Sequence, residues 1–219
     1  MTPLRLVPVV EGHGEERAVP VLLRRWLRYR NLQRSFQVPE LAINAKGAGR
    51  LKAAFDRDRH RGIECWVSKA LIARPDAIVV ILDADDECQR RGKGQGLGPE
   101  LLERARRIAR DVPIAVVIAH REFEAWFLAN LDALRAAGLI GSLRLPAPQE
   151  PERPRNCKKS IEQLLGCSYE ETVHQVKFAE RLSFSAAAQR RSPSYAKLLK
   201  DLEHITRAAR QRARQRRSP

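Results

Sequence analysis

The chain has 219 residues, 43% of them hydrophobic, enough for a packed core and too many for wholesale disorder. Lys and Arg number 41 against 26 Asp and Glu, a formal charge of +15. That excess favours a polyanionic partner, nucleic acid first, unless it only reflects an Arg-rich proteome. Four scattered cysteines without a C-x-x-C pair argue against a zinc ribbon or disulfide framework, and no apolar run approaches the ~20 residues that span a bilayer. The expectation is a soluble, cytoplasmic protein with no membrane contact.

Leu4–Val10 reads as a strand, followed by the turn Glu11-Gly12-His13-Gly14-Glu15. Val19, Leu22, Leu23, Trp26 and Leu27 then recur at helical spacing, and Pro20 is expected in the first turn of that helix, where a proline is tolerated. Leu41–Asn44 is a weak second strand leading to Lys46-Gly47-Ala48-Gly49-Arg50. A helical region from Leu51 to about Ala73 should break at Gly62. Ala77–Leu82 is almost purely apolar, as befits a strand buried on both faces, and runs into Asp83-Ala84-Asp85-Asp86-Glu87. A polar loop (Arg91–Gly98), a helix (Pro99–Ala109), a strand (Pro113–Ala119) and a helix (Glu122–Ala137) stopped by Gly138 follow.

Repeated strand–helix units imply right-handed crossovers, hence an α/β fold with a four-stranded, mostly parallel sheet flanked by helices over residues 1–145. A proline-rich linker opens a C-terminal helical extension, residues 146–206, expected to pack on that domain. Its helices are Lys158–Leu165, Tyr169–Leu182 and one with Ser192 as N-cap and Pro193 at the first position. Residues 207–219, rich in arginine and free of acids, are expected as a disordered basic tail.

Three acidic clusters fall where strands run out: Glu11 to Glu15, Asp83 to Glu87, and His120-Arg121-Glu122-Phe123-Glu124. In an open parallel sheet all strand carboxyl ends share the edge where ligands bind, so these distant carboxylates should meet. Packed like charges call for a divalent cation, Mg²⁺ or Mn²⁺. Asp83 and Asp85 alternate along an extended strand and can reach one ion, with Glu11 as a further ligand or as general acid/base. Glu15 and Glu122 are secondary metal ligands, although acids at a helix start are favoured anyway. His120 is a proton shuttle or merely structural. The basic candidates for nucleic-acid contact are Lys46, Arg50, Arg90, Lys93, Arg24 and Arg28; the arginine tail could equally meet an acidic protein.

A Glu in the turn after the first strand and a DxD after a later one resemble the Toprim domain of topoisomerases, bacterial primases and nucleases of the OLD (overcoming-lysogenisation-defect) group. More closely, Val10-Glu11-Gly12-His13-Gly14-Glu15, Leu82-Asp83-Ala84-Asp85-Asp86, Arg121-Glu122-Phe123-Glu124-Ala125-Trp126-Phe127 and Ser192-Pro193-Ser194-Tyr195 resemble a small stand-alone prokaryotic Toprim-like family of unknown function. That resemblance implies Mg²⁺ held by Asp83 and Asp85, with Glu11 at a phosphoryl centre. With no strand-gate domain and no zinc module, it implies a divalent-metal-dependent phosphodiester hydrolase acting on DNA or RNA, in a prokaryotic defence setting. The alternative is a non-catalytic nucleic-acid-binding or regulatory subunit working with an ATPase partner. A phosphatase using Asp83 as nucleophile is a third reading.

Overall fold

A computed structural model describes residues 2–84, 96–141, 147–153 and 156–216. Three strands form the body of the sheet: β1 (Leu4–Val10), β4 (Ala77–Asp83) and β5 (Ile114–Ala119). The two-residue strands β2 (Phe36–Gln37) and β3 (Ile43–Asn44) both pair with β1. The order is β2-β1-β4-β5, with every pairing parallel. β2 pairs with Leu4 and Arg5, and β3 with Val9 and Val10, so this edge is in two pieces, of which β3 falls within the expected Leu41–Asn44 and β2 lies outside it.

Alternation along these strands divides the core. Leu6, Val10, Val79, Ile81, Ala115 and Val117 face α1 (His13–Tyr29) and the C-terminal helices. Val7, Val9, Ile78, Val80, Leu82 and Val116 face the other layer, α2 (Ala48–Lys52), α3 (Ile63–Ile72) and α4 (Leu97–Ile108). Strands buried on both faces need apolar residues at every position, and β4 is buried as far as Leu82, with Asp83 half-buried.

Pro20 departs from expectation. Helix α1 begins at His13, so the proline lies in its interior, where it deprives the Glu16 carbonyl of its intrahelical donor. That carbonyl accepts the N–H of Ala42 at 2.8 Å instead, which ties the loop before β3 to the helix. Leaving it unpaired would cost about 1 to 3 kcal/mol.

The expected helix over Glu122–Ala137 divides at Asn130 into α5 (Glu124–Ala129) and α6 (Leu131–Ala136). Asn130 is buried; its amide donates to Trp126 O at 2.9 Å and its Oδ1 accepts Ser183 N at 2.8 Å. The extension comprises α7 (Cys157–Leu165), α8 (Glu171–Ala179), α9 (Ala186–Arg191) and α10 (Pro193–Gln215). Helix α8 packs along α1, and α10 lies against β5. The Ser192 hydroxyl accepts Tyr195 N at 3.2 Å, with Pro193 at the first helical position. Much of the span expected as a basic tail, residues 207–215, is helical, because the stripe Leu198, Leu202, Ile205 and Ala209 continues the buried face of α10. Among the described residues, no helix is long and apolar enough to cross a membrane.

Candidate active site

The chain leaves β1 toward β2 and β3 on one side, then crosses back to β4 on the other. The strand order therefore reverses between β1 and β4, and a crevice opens at their carboxyl ends. Glu11 directly follows β1, and Asp83 ends β4. With Val10 in register with Ile81, the Glu11 carboxylate reaches across, and its Oε2 accepts the backbone N–H of Asp83 at 2.8 Å. Two acids separated by 72 positions in sequence thus share one strand end. The third edge of the crevice is the turn after β3, where Gly47 N donates to Glu11 O at 2.8 Å. Exposed Lys46 occupies that turn at a φ of 59°, and exposed Arg50 stands on α2. Asp85, Arg90 and Lys93 lie outside the described residues.

Two carboxylates of hard oxygen character suit Mg²⁺ or Mn²⁺, which accept few protein ligands and retain water. The neighbouring thiol offers nothing softer: burial pushes Cys157 up to about 12, so it stays protonated. Among the described residues, no group of three or more His, Cys, Asp or Glu side chains is arranged to hold a metal ion.

The other two acidic candidates are already engaged. Glu15 caps α1, its Oε2 accepting Gly12 N at 3.1 Å, while its Oε1 accepts Gln175 Nε2 at 3.2 Å. Glu122 sits at the start of α7, accepting Asn156 N at 3.2 Å and Lys158 N at 3.4 Å. His120 places Nδ1 3.0 Å from the Glu152 carbonyl.

Behind the crevice lies a polar cluster. Glu124 is 1% exposed, and its Oε1 accepts Tyr169 OH at 3.1 Å and Gln175 Nε2 at 3.2 Å. Burial raises its pKa to about 7, with the charge of Lys158 pulling the other way and Glu15 adding to the rise. Gln175 is fully buried, and its Oε1 has no hydrogen-bond partner. It fits because residue 14 is glycine: a Cβ there would stand 2.6 Å from the Gln175 amide. The Lys158 ammonium bonds Glu171. Burial would lower its pKa, but that bond and the charges of Glu124, Glu171 and Asp83 outweigh it and hold the amine above the ordinary lysine value.

The Ser192-Pro193-Ser194-Tyr195 segment has a structural role. Ser192 Oγ and Ser194 Oγ both donate to buried Glu152, the latter at 2.6 Å, and Ser194 N adds a third bond at 2.9 Å. Ser194 Oγ in turn accepts Trp126 Nε1 at 2.7 Å and His120 N at 3.3 Å, which fastens α10 to the end of β5. Tyr195 is fully buried, and burial raises its pKa.

Arg24 and Arg28 stand elsewhere, toward the far end of α1, where Arg24 Nη1 donates to Pro39 O at 3.0 Å. Sequence reasoning grouped Glu124 with its neighbours but selected Glu122, and it passed over Tyr169, Gln175 and Lys158. For Gln175 a signal existed: it shares a helical stripe with Phe178 and Ala179, all buried, and an amide on an apolar stripe needs polar company.

Residues 10–203 match the family described as Domain of unknown function (DUF4276). A solved structure, the C-terminal region of the Burkholderia pseudomallei OLD protein, is similar at 16% identity and a TM-score of 0.45, over 95% of this chain and 100% of that one. A likeness of that degree carries no argument about chemistry. No curated protein matches the chain.

Proposed function

The chain belongs to the DUF4276 family, and we propose that it is a divalent-metal-dependent phosphodiester hydrolase of the Toprim type, acting on DNA or RNA. The observation that carries this reading is the 2.8 Å contact joining Glu11 to Asp83 at the point where the strand order reverses. Glu11 and Asp83 would hold the ion together with Asp85, with Glu15 and Glu122 as secondary candidates. Bound Mg²⁺ or Mn²⁺ supplies an activated water and charge stabilisation at the leaving oxygen.

The remaining work falls to the protein's own groups. Glu11 orients the β4 end by accepting the Asp83 N–H, and its carboxylate serves either as metal ligand or as general acid/base. Lys158 stays protonated near Asp83 and Glu124, a fixed cation for charge that develops on a phosphoryl oxygen. Lys46, in the turn bonded to Glu11, is a second such cation. The formal charge of +15 favours association with a polyanion.

The test is incubation of labelled DNA and RNA with the protein and Mg²⁺ or Mn²⁺, beside Asp83→Ala. Metal-dependent cleavage that vanishes in the variant supports the hydrolase. Tight binding with intact substrate in both proteins would replace it with a binding subunit, the form in which an ATPase partner becomes relevant.

A further inference from the structure

At the far end of α1 a cavity of about 460 Å³ is lined by Val21, Arg24, Arg25, Arg28, Glu180 and Arg181, four guanidiniums against one carboxylate. Arg25 is anchored there: Nη1 donates to Leu182 O at 2.6 Å and Ala179 O at 3.2 Å, and its guanidinium lies 5.5 Å from the centre of the Phe184 ring. Arg24 is held by Pro39 O. Arg28 and Arg181 are exposed. Folding has therefore gathered like charges around a hollow, an arrangement that an anion stabilises.

The cavity is also the end of a line. His13, Arg17, Arg24 and Arg28 follow one another on α1 within a sector of about 60°, at ~100° per residue, and His13, Arg17 and Arg28 are exposed. His13 opens the helix two residues after Glu11. At 1.5 Å per residue, Arg24 and Arg28 lie about 16 to 22 Å further along the axis. At ~3.4 Å per nucleotide, that span is about five to seven nucleotides.

We propose that this stripe and its terminal pocket form a phosphate track, in which Arg24, Arg28 and Arg181 hold backbone phosphates about five to seven nucleotides from the Glu11–Asp83 crevice. The inference rests on the nucleic-acid reading above and extends it to the manner of binding. Planar guanidiniums suit bidentate phosphate contact. A row of them along one helix matches a repeating anion and carries no base readout, so binding should ignore sequence.

The test is fluorescence anisotropy with labelled 20-base-pair DNA and a 20-nucleotide RNA, in EDTA across a salt series, so that hydrolysis does not enter. R28A/R181A removes two exposed side chains; R106A/R110A removes the same charge from α4 and the segment after it. The track predicts about tenfold weaker binding for R28A/R181A and a log–log salt slope shallower by about two phosphate contacts, with R106A/R110A near wild type. Equal losses in both variants, or none in R28A/R181A, would overturn it. A pocket built for a free oligophosphate would bind tripolyphosphate one-to-one without displacing the duplex, and that result also overturns the track. A wild-type protein that binds through these arginines but never cleaves would sink the hydrolase and leave the track standing.

Discussion

Replacing Glu124 by glutamine should make the protein less sensitive to a rise in pH from about 4.5 to about 7. The carboxyl is 1% exposed, and burial raises its pKa from 4.5 to about 7. Between those values the unfolded chain releases the proton that the native state keeps, so native stability falls as pH rises. A rise of about 2.5 units at ~1.36 kcal/mol each amounts to about 3 kcal/mol, present in full below pH ~4.5 and gone above pH ~7. That is a large fraction of the ~5 to 15 kcal/mol that holds a typical domain together. The Gln side chain keeps an acceptor for Tyr169 OH and has no charge to bury, so its curve lacks this loss. Urea unfolding of both proteins from pH 4.5 to 8 should show the variant gaining about 3 kcal/mol over wild type across the interval. Parallel curves, or a gap that narrows with rising pH, would refute the assignment of a buried, proton-holding Glu124.

Gly14→Ala places a methyl 2.6 Å from the Gln175 amide and should destabilise by about 1 to 3 kcal/mol, measured as a lower Tm, with relief when Gln175 is cut to Ala. Arg104 donates to both oxygens of Glu64 at 2.8 Å, with the two side chains 16% and 14% exposed. Arg104→Ala strands that carboxylate and should cost about 3 kcal/mol, whereas Arg104→Leu with Glu64→Leu should recover most of it in denaturant unfolding. Burial would raise the pKa of Glu64, but the Arg104 hydrogen bond and charge outweigh it and hold the carboxyl below its ordinary 4.5, so this contribution is present above pH ~4.5 and fades as pH falls below that value. Ser194→Ala leaves buried Trp126 Nε1 without its acceptor and removes one of three donors to Glu152, and should cost about 1 to 3 kcal/mol, visible as a lower urea midpoint.

The strand ends were legible because burial on both faces demands apolar runs, so acids directly after Val10 and Leu82 stand out in the sequence and must share an edge in a parallel sheet. Pro20 misled: a proline signals a helix start, and nothing local reveals that Ala42 will satisfy the carbonyl it strands. Asn130 ends a helix through a bond to Ser183, 53 positions away, so the break in Glu122–Ala137 is a tertiary effect. Contact between Gln175 and Glu15 spans 160 positions, and no periodicity encodes it. The arginines after Ile205 read as a tail because charge alone was counted, whereas buried Ala209 keeps the helix packed.

Mn²⁺ titration followed by electron paramagnetic resonance, on wild type beside Glu11→Gln and Asp83→Asn, tests the shared strand end most directly. Mn²⁺ should bind the wild-type protein and lose at least about tenfold in affinity with either substitution, the loss expected when one of a few carboxylate ligands goes. Equal affinity in all three proteins would contradict an ion held between β1 and β4.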